Sequence, residues 1–179
     1  MGADNIQNGR TFRQNRVRRL ATDGMLCAAA IVGRIVLNVL PNIQPVTALL
    51  ILMAAYIGTW DAAVSSIVIV LVTNLYLGMG IWTVYQIITW CFIALVSAFL
   101  FRKKHNRFAV LGWSILSGFI YGAFISVMSC RTVYSGPSPS TYLAYWLTGL
   151  PFDIYHAVGN ALFVWFLQPV FERVIKNKI

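Results

Sequence analysis

The apolar positions of this chain fall into long runs that short polar breaks separate. A run of about 20 apolar residues, each rising 1.5 Å along a helix, crosses the roughly 30 Å hydrocarbon core of a bilayer. The second run is short for a full crossing, and only the sequence GTWD (58–61) divides it from the third. The pattern predicts six transmembrane helices, near residues 19–40, 45–58, 60–77, 82–101, 108–130 and 150–170, and Gly149 and Pro151 mark the predicted start of the last.

The composition agrees with a membrane protein. Hydrophobic residues make up 59% of the 179 residues and charged residues only 11%, whereas soluble domains carry about 25% charged residues. The predicted fold class is therefore an all-α membrane protein with six transmembrane helices. The three cysteines are widely spaced within apolar runs, so neither a disulfide framework nor a metal site is indicated, and no cofactor is predicted.

Basic residues form three clusters that predict an orientation. Under the positive-inside rule all three clusters are cytoplasmic, which requires four crossings before Arg102 and two after it. Both ends are then inside, with a basic segment at 1–18, a six-helix domain at 19–170 and a tail at 171–179. The net charge of +9 is thus expected to face anionic lipid headgroups rather than nucleic acid. The clusters are Arg10, Arg13, Arg16, Arg18 and Arg19; Arg102, Lys103, Lys104 and Arg107; and Arg173, Lys176 and Lys178.

The outer breaks are nearly free of charge, and they predict a cavity. They read NVLPNIQPVT (38–47), YLGMGIW (76–82) and RTVYSGPSPSTY (131–142). Non-helical backbone near membrane depth is tolerated where it lines a water-filled cavity or is buried in protein. The predicted substrate-binding residues are Arg34, Asn38, Asn42, Gln44, Asn74, Met79, Trp82, Tyr85, Gln86, Trp90, Tyr134 and Trp146, with Tyr76, Tyr142, Tyr145, Asp153, Tyr155, His156 and Asn160 as further polar groups.

Other roles explain several of these residues. An interfacial aromatic belt accounts for each outer tryptophan and tyrosine singly, and the stripe of Trp82, Gln86 and Trp90 suits helix packing as well as a pocket. Arg34 and Asp153 are costly inside a membrane unless paired or hydrated, and a structural pair between them is favoured over ligand contact. His156 shares a helix face with Asp153, and a hydrogen-bonded interior role is favoured over cobalt ligation.

The sequence lacks the motifs of an enzyme. It contains no HExxH, no GxSxG, no phosphate-binding loop and no Cys/His ligand set. We therefore predict that the protein is not an enzyme.

The first predicted span carries small residues at a spacing of four. Gly24 with Ala28, and Ala29 with Gly33, give two adjacent small faces. Such faces let another helix approach closely.

Taken together, these stretches resemble a known family. Small residues in the first span, PNIQPVTALLIL (41–52) and TNLYLGMGIWTVYQIITW (73–90) are similar to the substrate-binding S components of energy-coupling factor (ECF) vitamin transporters. The resemblance covers roughly residues 17–170 and is strongest to the cobalamin-specific branch. It implies a multi-pass protein of a bacterial plasma membrane that captures cobalamin outside the cell.

The resemblance also implies partners. S components dock on a membrane coupling (T) subunit that carries two cytoplasmic ATPase subunits, through an AxxxA motif matched here by Gly24 and Ala28 or by Ala29 and Gly33. The loop 38–47 would then help to gate the pocket. Two alternatives stay open: an S component for another cofactor precursor, such as a queuosine precursor or pantothenate, and a structural or assembly membrane protein.

Overall fold

The computed structural model describes the backbone of residues 3–175 and the side chains of residues 13–173. Within these residues, helices of alternating direction build a bundle. A 3-10 turn at Leu37–Val39 follows the first helix, and a π-helical turn at Phe171–Ile175 follows the last. The α-helices are α1 (Ala3–Val36), α2 (Val46–Tyr56), α3 (Thr59–Leu77), α4 (Ile81–Phe101), α5 (Arg107–Val133) and α6 (Pro139–Val170).

Helix α2 is the centre of the bundle. Its residues 46–55 are all buried, and it packs against each of the five other α-helices. A helix that is apolar on every side is stable only when it is surrounded. The long helices enclose it in the order α1, α3, α4, α5, α6, and within the described residues α1 and α6 do not pack against each other. The ring of helices is therefore interrupted between α1 and α6.

Five of the six predicted spans correspond to helices long enough to cross a membrane. Helix α2 has 11 residues and rises about 17 Å, short of the roughly 30 Å of hydrocarbon. The described chain thus has five helices of membrane-spanning length and one shorter apolar helix, which is compatible with a multi-pass membrane protein. The five long apolar segments are Arg13–Val39, Thr59–Leu77, Ile81–Phe101, Arg107–Val133 and Pro139–Arg173.

The start of α6 differs from the predicted start. The helix begins at Pro139, where the Ser138 hydroxyl accepts a hydrogen bond from the Thr141 backbone N–H at 3.2 Å. A serine cap followed by proline in the first turn is a strong start signal. Pro151 lies inside the helix, so the prediction that it marks the start is wrong. Asp153 consequently lies far from the helix N-terminus, and the helix dipole does not explain its position.

The basic clusters meet at one end of the bundle. Arg19 forms an ion pair with Asp61, and Arg19 Nη2 also donates to the carbonyl of Ile57. Tyr56, which precedes Ile57 in the chain, stacks on His105 and donates a hydrogen bond to Glu172. We call this end the basic end and the opposite end the loop end. The side chain of Arg10, and the residues Lys176 and Lys178, lie outside the described part of the chain.

Helices α5 and α6 pack closely because glycines face α6. A Cβ atom added to Gly118 would lie 2.7 Å from the backbone nitrogen of Ala157 and 2.8 Å from its Cα. One turn along α5, Gly122 lies directly against the carboxylate of Asp153. These contacts fix the face that α6 turns toward the interior.

Candidate functional site

A polar cavity of about 260 Å³ opens at the loop end. It lies where the loop between α1 and α2 meets α4, α5 and α6. Five of the predicted substrate-binding residues come together in it: Arg34, Asn38, Asn42, Gln44 and Gln86. The complete lining is Arg34, Leu37, Asn38, Leu40, Pro41, Asn42, Ile43, Gln44, Leu77, Gln86, Tyr121 and Phe152.

The loop from 37 to 45 closes the gap between α1 and α6. Asn42 adopts a left-handed backbone conformation with φ 55°, which asparagine tolerates better than most residues. Its side chain donates to the backbone carbonyl of Phe152 on α6 at 3.3 Å. On the other side, the Pro45 ring lies against Gly33 of α1, where a Cβ atom would come within 2.5 Å of Pro45 Cγ. An uncharged loop suits this position because it packs between two helices.

Arg34 lies at the inner wall of the cavity and is only 8% exposed. Its Nη1 donates to Thr73 Oγ1 at 2.7 Å, and its Nη2 donates to Gln86 Oε1 at 3.1 Å. The guanidinium carbon is 5.0 Å from the centroid of the Trp90 ring, a favourable cation–π distance. Within the described residues no carboxylate pairs with Arg34. The predicted ion pair between Arg34 and Asp153 is therefore wrong.

Asn74 holds the Gln86 side chain in place. The Asn74 amide is 1% exposed and donates to Gln86 Oε1 and to Thr83 Oγ1, both at 2.9 Å. The Gln86 oxygen thus accepts from both Arg34 and Asn74. Asn74 does not line the cavity, but it orients a residue that does.

Beneath the cavity, Trp90 and His156 share one partner on the central helix. Trp90 Nε1 donates to Thr47 Oγ1 at 2.8 Å, and His156 Nε2 is hydrogen-bonded to the same oxygen at 2.8 Å. The ring of Tyr121 lies 4.9 Å from Trp90 and 4.8 Å from His156, centroid to centroid. All three polar partners are 0% exposed. The interior role favoured for His156 is confirmed, and this residue supports the cavity from below.

The other predicted residues do not line the cavity. Met79 and Trp82 are exposed, and Trp82 Nε1 donates to the nearby carbonyl of Gly78. Tyr85 is bonded to Thr132. The ring of Tyr134 lies edge-on to Tyr145, with 6.4 Å between centroids. Tyr76, Tyr142 and Tyr155 lie near the loop end, where Tyr76 and Tyr155 are exposed and Tyr142 is half-buried. Asn160 is buried and donates to the Ser114 carbonyl at 3.1 Å.

The sequence analysis missed two polar residues of the site. Thr73 accepts the shorter hydrogen bond of Arg34, and Tyr121 lines the cavity wall. Thr73 immediately precedes Asn74. Its hydroxyl also bonds to the carbonyl of Ile69, a bond that threonines in helices commonly make, so the residue type alone did not indicate a role in the site. Tyr121 could have been predicted from the sequence, because it is the one tyrosine within α5.

Asp153 is a second buried charge, separate from the cavity. Its side chain is 3% exposed and accepts one hydrogen bond from Trp146 Nε1, at 2.9 Å. The described residues supply no cation to it. A buried carboxylate with one neutral donor is costly.

We therefore expect Asp153→Asn to raise the free energy of unfolding, by about 1–2 kcal/mol. Asparagine has the same shape and can still accept the Trp146 hydrogen bond, but it carries no charge. Thermal or denaturant unfolding in detergent measures the change. As the control, Asp153→Leu removes the acceptor and should destabilise the protein. A clear loss of stability in the asparagine variant would show that the charge is compensated.

The fold is an all-helical bundle that is compatible with a multi-pass membrane protein, and it carries a polar cavity at one end. The chain belongs to the family of unknown function DUF6580, whose model matches residues 14–179. No curated protein and no solved structure matches the chain. The family description assigns no activity.

Proposed function

We propose that this protein is the substrate-binding membrane subunit of an ECF-type importer in a bacterial plasma membrane. The observation that carries the proposal is the cavity at the loop end, with hydrogen-bonded polar side chains in its wall. In ligand pockets a few fixed polar groups orient the bound molecule, and the hydrogen-bonded side chains of Arg34 and Gln86 can do so here. With the basic end in the cytoplasm, as the positive-inside rule requires, the cavity faces outward and meets substrates before they enter the cell.

The exposure of α1 supports docking on a membrane partner. Only 11% of its most apolar stretch is buried, against 33–39% in the other four long helices. Gly24, Ala28 and Ala29 are all exposed, whereas Gly33 is covered by Pro45. The pair Gly24 and Ala28 is therefore the better match to a docking motif. In this proposal the coupling subunit, which carries two ATPase subunits, packs against that face.

The volume of the cavity limits the size of the substrate that can bind without a change in the loop. Its volume of about 260 Å³ is below the roughly 300–1,000 Å³ of pockets for drug-sized ligands. Cobalamin, the first choice from the sequence, would require the loop 37–45 to move away from α6. The observed volume supports the alternative of a smaller cofactor precursor, such as pantothenate.

Ligand binding by the purified full chain tests the proposal. We expect at least one vitamin or precursor from a panel including cobalamin and pantothenate to bind, measured by calorimetry and by a rise in melting temperature. Co-expressed coupling and ATPase subunits should co-purify with the chain. If no compound binds and no subunit co-purifies, the alternative of a structural membrane protein is favoured.

A variant of α1 separates docking from binding. Ala28→Trp should abolish co-purification and uptake but leave ligand affinity within about twofold. The tryptophan blocks close helix approach at an exposed position that does not line the cavity. Val127→Trp is the matched control, since Val127 is exposed on α5 and should leave both properties intact. Equal loss of binding and docking in Ala28→Trp would contradict the assigned docking face.

A further inference from the structure

The cavity holds a positive charge that the described residues do not neutralise. Arg34 is 8% exposed and lines the cavity, and its two identified hydrogen bonds go to neutral oxygens of Thr73 and Gln86. A guanidinium has five N–H donors, so further donors remain for a group in the cavity. A buried charge that lacks a counter-charge is costly, and an anion supplied from outside would offset that cost.

A second side chain independently indicates a polar ligand. Gln44 is 9% exposed and lines the same cavity, and its amide has no hydrogen-bond partner among the described residues. The amide atoms themselves are not fully buried, so they are open to the cavity and can bond a polar group there. Because Gln44 immediately precedes Pro45, which packs on α1, its backbone is held in place. An unpartnered amide that a fixed backbone presents at a cavity wall is suited to bond a ligand.

We propose that the ligand is a small monocarboxylate whose carboxylate binds Arg34 and whose polar body bonds the amide of Gln44. This inference rests on the proposed substrate-binding function and specifies its substrate class. The planar guanidinium matches a carboxylate with two parallel N–H···O bonds. The Trp90 ring lies 5.0 Å from the guanidinium carbon. The bonds to Thr73 and Gln86 use one N–H of Nη1 and one of Nη2, so three of the five N–H donors remain for a carboxylate.

The charge balance of the cavity selects a carboxylate over other ligands. Arg34 is the one charged residue in the lining, so a cationic ligand would be repelled. A phosphate monoester carries nearly two negative charges at neutral pH, and one of them would stay uncompensated in a site of low dielectric. One carboxylate against one guanidinium gives a neutral pair.

Matched pairs of ligands test the substrate class on the unmodified protein. Calorimetry on the full chain in detergent would compare pantothenate with pantothenol, biotin with biotinamide, and nicotinate with nicotinamide. At least one carboxylate should bind about 10- to 100-fold more tightly than its uncharged counterpart, as expected for charge-assisted hydrogen bonds. If an uncharged compound binds as tightly as its carboxylate, the inference fails while the proposed function stands.

Variants of Arg34 then assign the charge to one residue. Arg34→Gln should remove the preference for the carboxylate, and Arg34→Lys should retain part of it through its charge. Arg131→Gln is the matched control, because Arg131 is an exposed arginine at the loop end of α5 and should keep the full preference. A carboxylate preference that survives in Arg34→Gln would overturn the inference. If neither charged nor neutral compounds bind the unmodified protein, both proposals fail together.

Discussion

Replacing Thr47 by valine should lower the free energy of unfolding by about 2–4 kcal/mol. Valine has nearly the same shape as threonine but lacks the oxygen that bonds both Trp90 Nε1 and His156 Nε2. The indole N–H and the imidazole would then be buried without this partner, and each unsatisfied polar group costs about 1–3 kcal/mol. Denaturant or thermal unfolding in detergent measures the loss.

Two further substitutions define the cause of that loss. Thr47→Ser keeps the hydroxyl and removes one methyl group, so it should cost only about 1 kcal/mol. Thr148→Val makes the same chemical change at an exposed position of α6 and should stay within about 0.5 kcal/mol of the unmodified protein. Equal stability of the Thr47 valine and serine variants would contradict the role of the hydroxyl.

The Thr47 substitution should also weaken ligand binding. Trp90 lies beneath Arg34, so an indole that loses its anchor no longer holds the guanidinium in one position. Binding sites depend on such supporting contacts, because misplacement of a polar group by about 1 Å already weakens its interactions. The three residues Thr47, Trp90 and His156 are thus interpreted as the support of the cavity rather than as ligand contacts.

Replacing Gly118 by alanine should also be strongly destabilising, by about 1–3 kcal/mol. The added methyl group would lie 2.7 Å from the backbone nitrogen of Ala157 and 2.8 Å from its Cα. Backbone atoms cannot rotate away as a side chain can, so α5 and α6 must move apart. Thermal unfolding in detergent measures this effect.

Gly112 supplies the matched control in the same helix. A Cβ atom there meets nothing within 4 Å, and alanine favours the helix by about 1 kcal/mol relative to glycine. Gly112→Ala should therefore leave the stability unchanged or raise it. Similar effects of the two substitutions would show that helix propensity, not the packing of α5 on α6, governs the result at Gly118.

The sequence determined the helices because their cause is local. Long apolar runs specify helices in a membrane protein, since backbone polar groups must be satisfied within the segment. Helices α3, α4 and α5 accordingly lie within a few residues of their predicted bounds. The start of α6 was predicted wrongly because Pro151 was interpreted as a helix boundary. A proline is tolerated within a buried or membrane helix where neighbours satisfy the freed carbonyl.

The sequence predicted the candidate site only in part. The loop and first-span residues Arg34, Asn38, Asn42 and Gln44 were predicted together because chain neighbours at one helix end stay close in space. Gln86 was predicted from its helix face, and it joins them. Thr73 and Tyr121 were missed because their roles depend on which faces of α3 and α5 turn inward.

By itself, the sequence determined an all-helical, membrane-compatible chain, the grouping of its basic residues and an uncharged loop beside Arg34, since each follows from composition or from neighbours along the chain. Only the tertiary structure decided that short α2 is the central helix, that Arg34 bonds neutral oxygens rather than Asp153, and that His156 lies beneath the cavity. The physical reason is that partners separated by 39 to 109 positions are chosen by how whole helices pack, which no local pattern encodes.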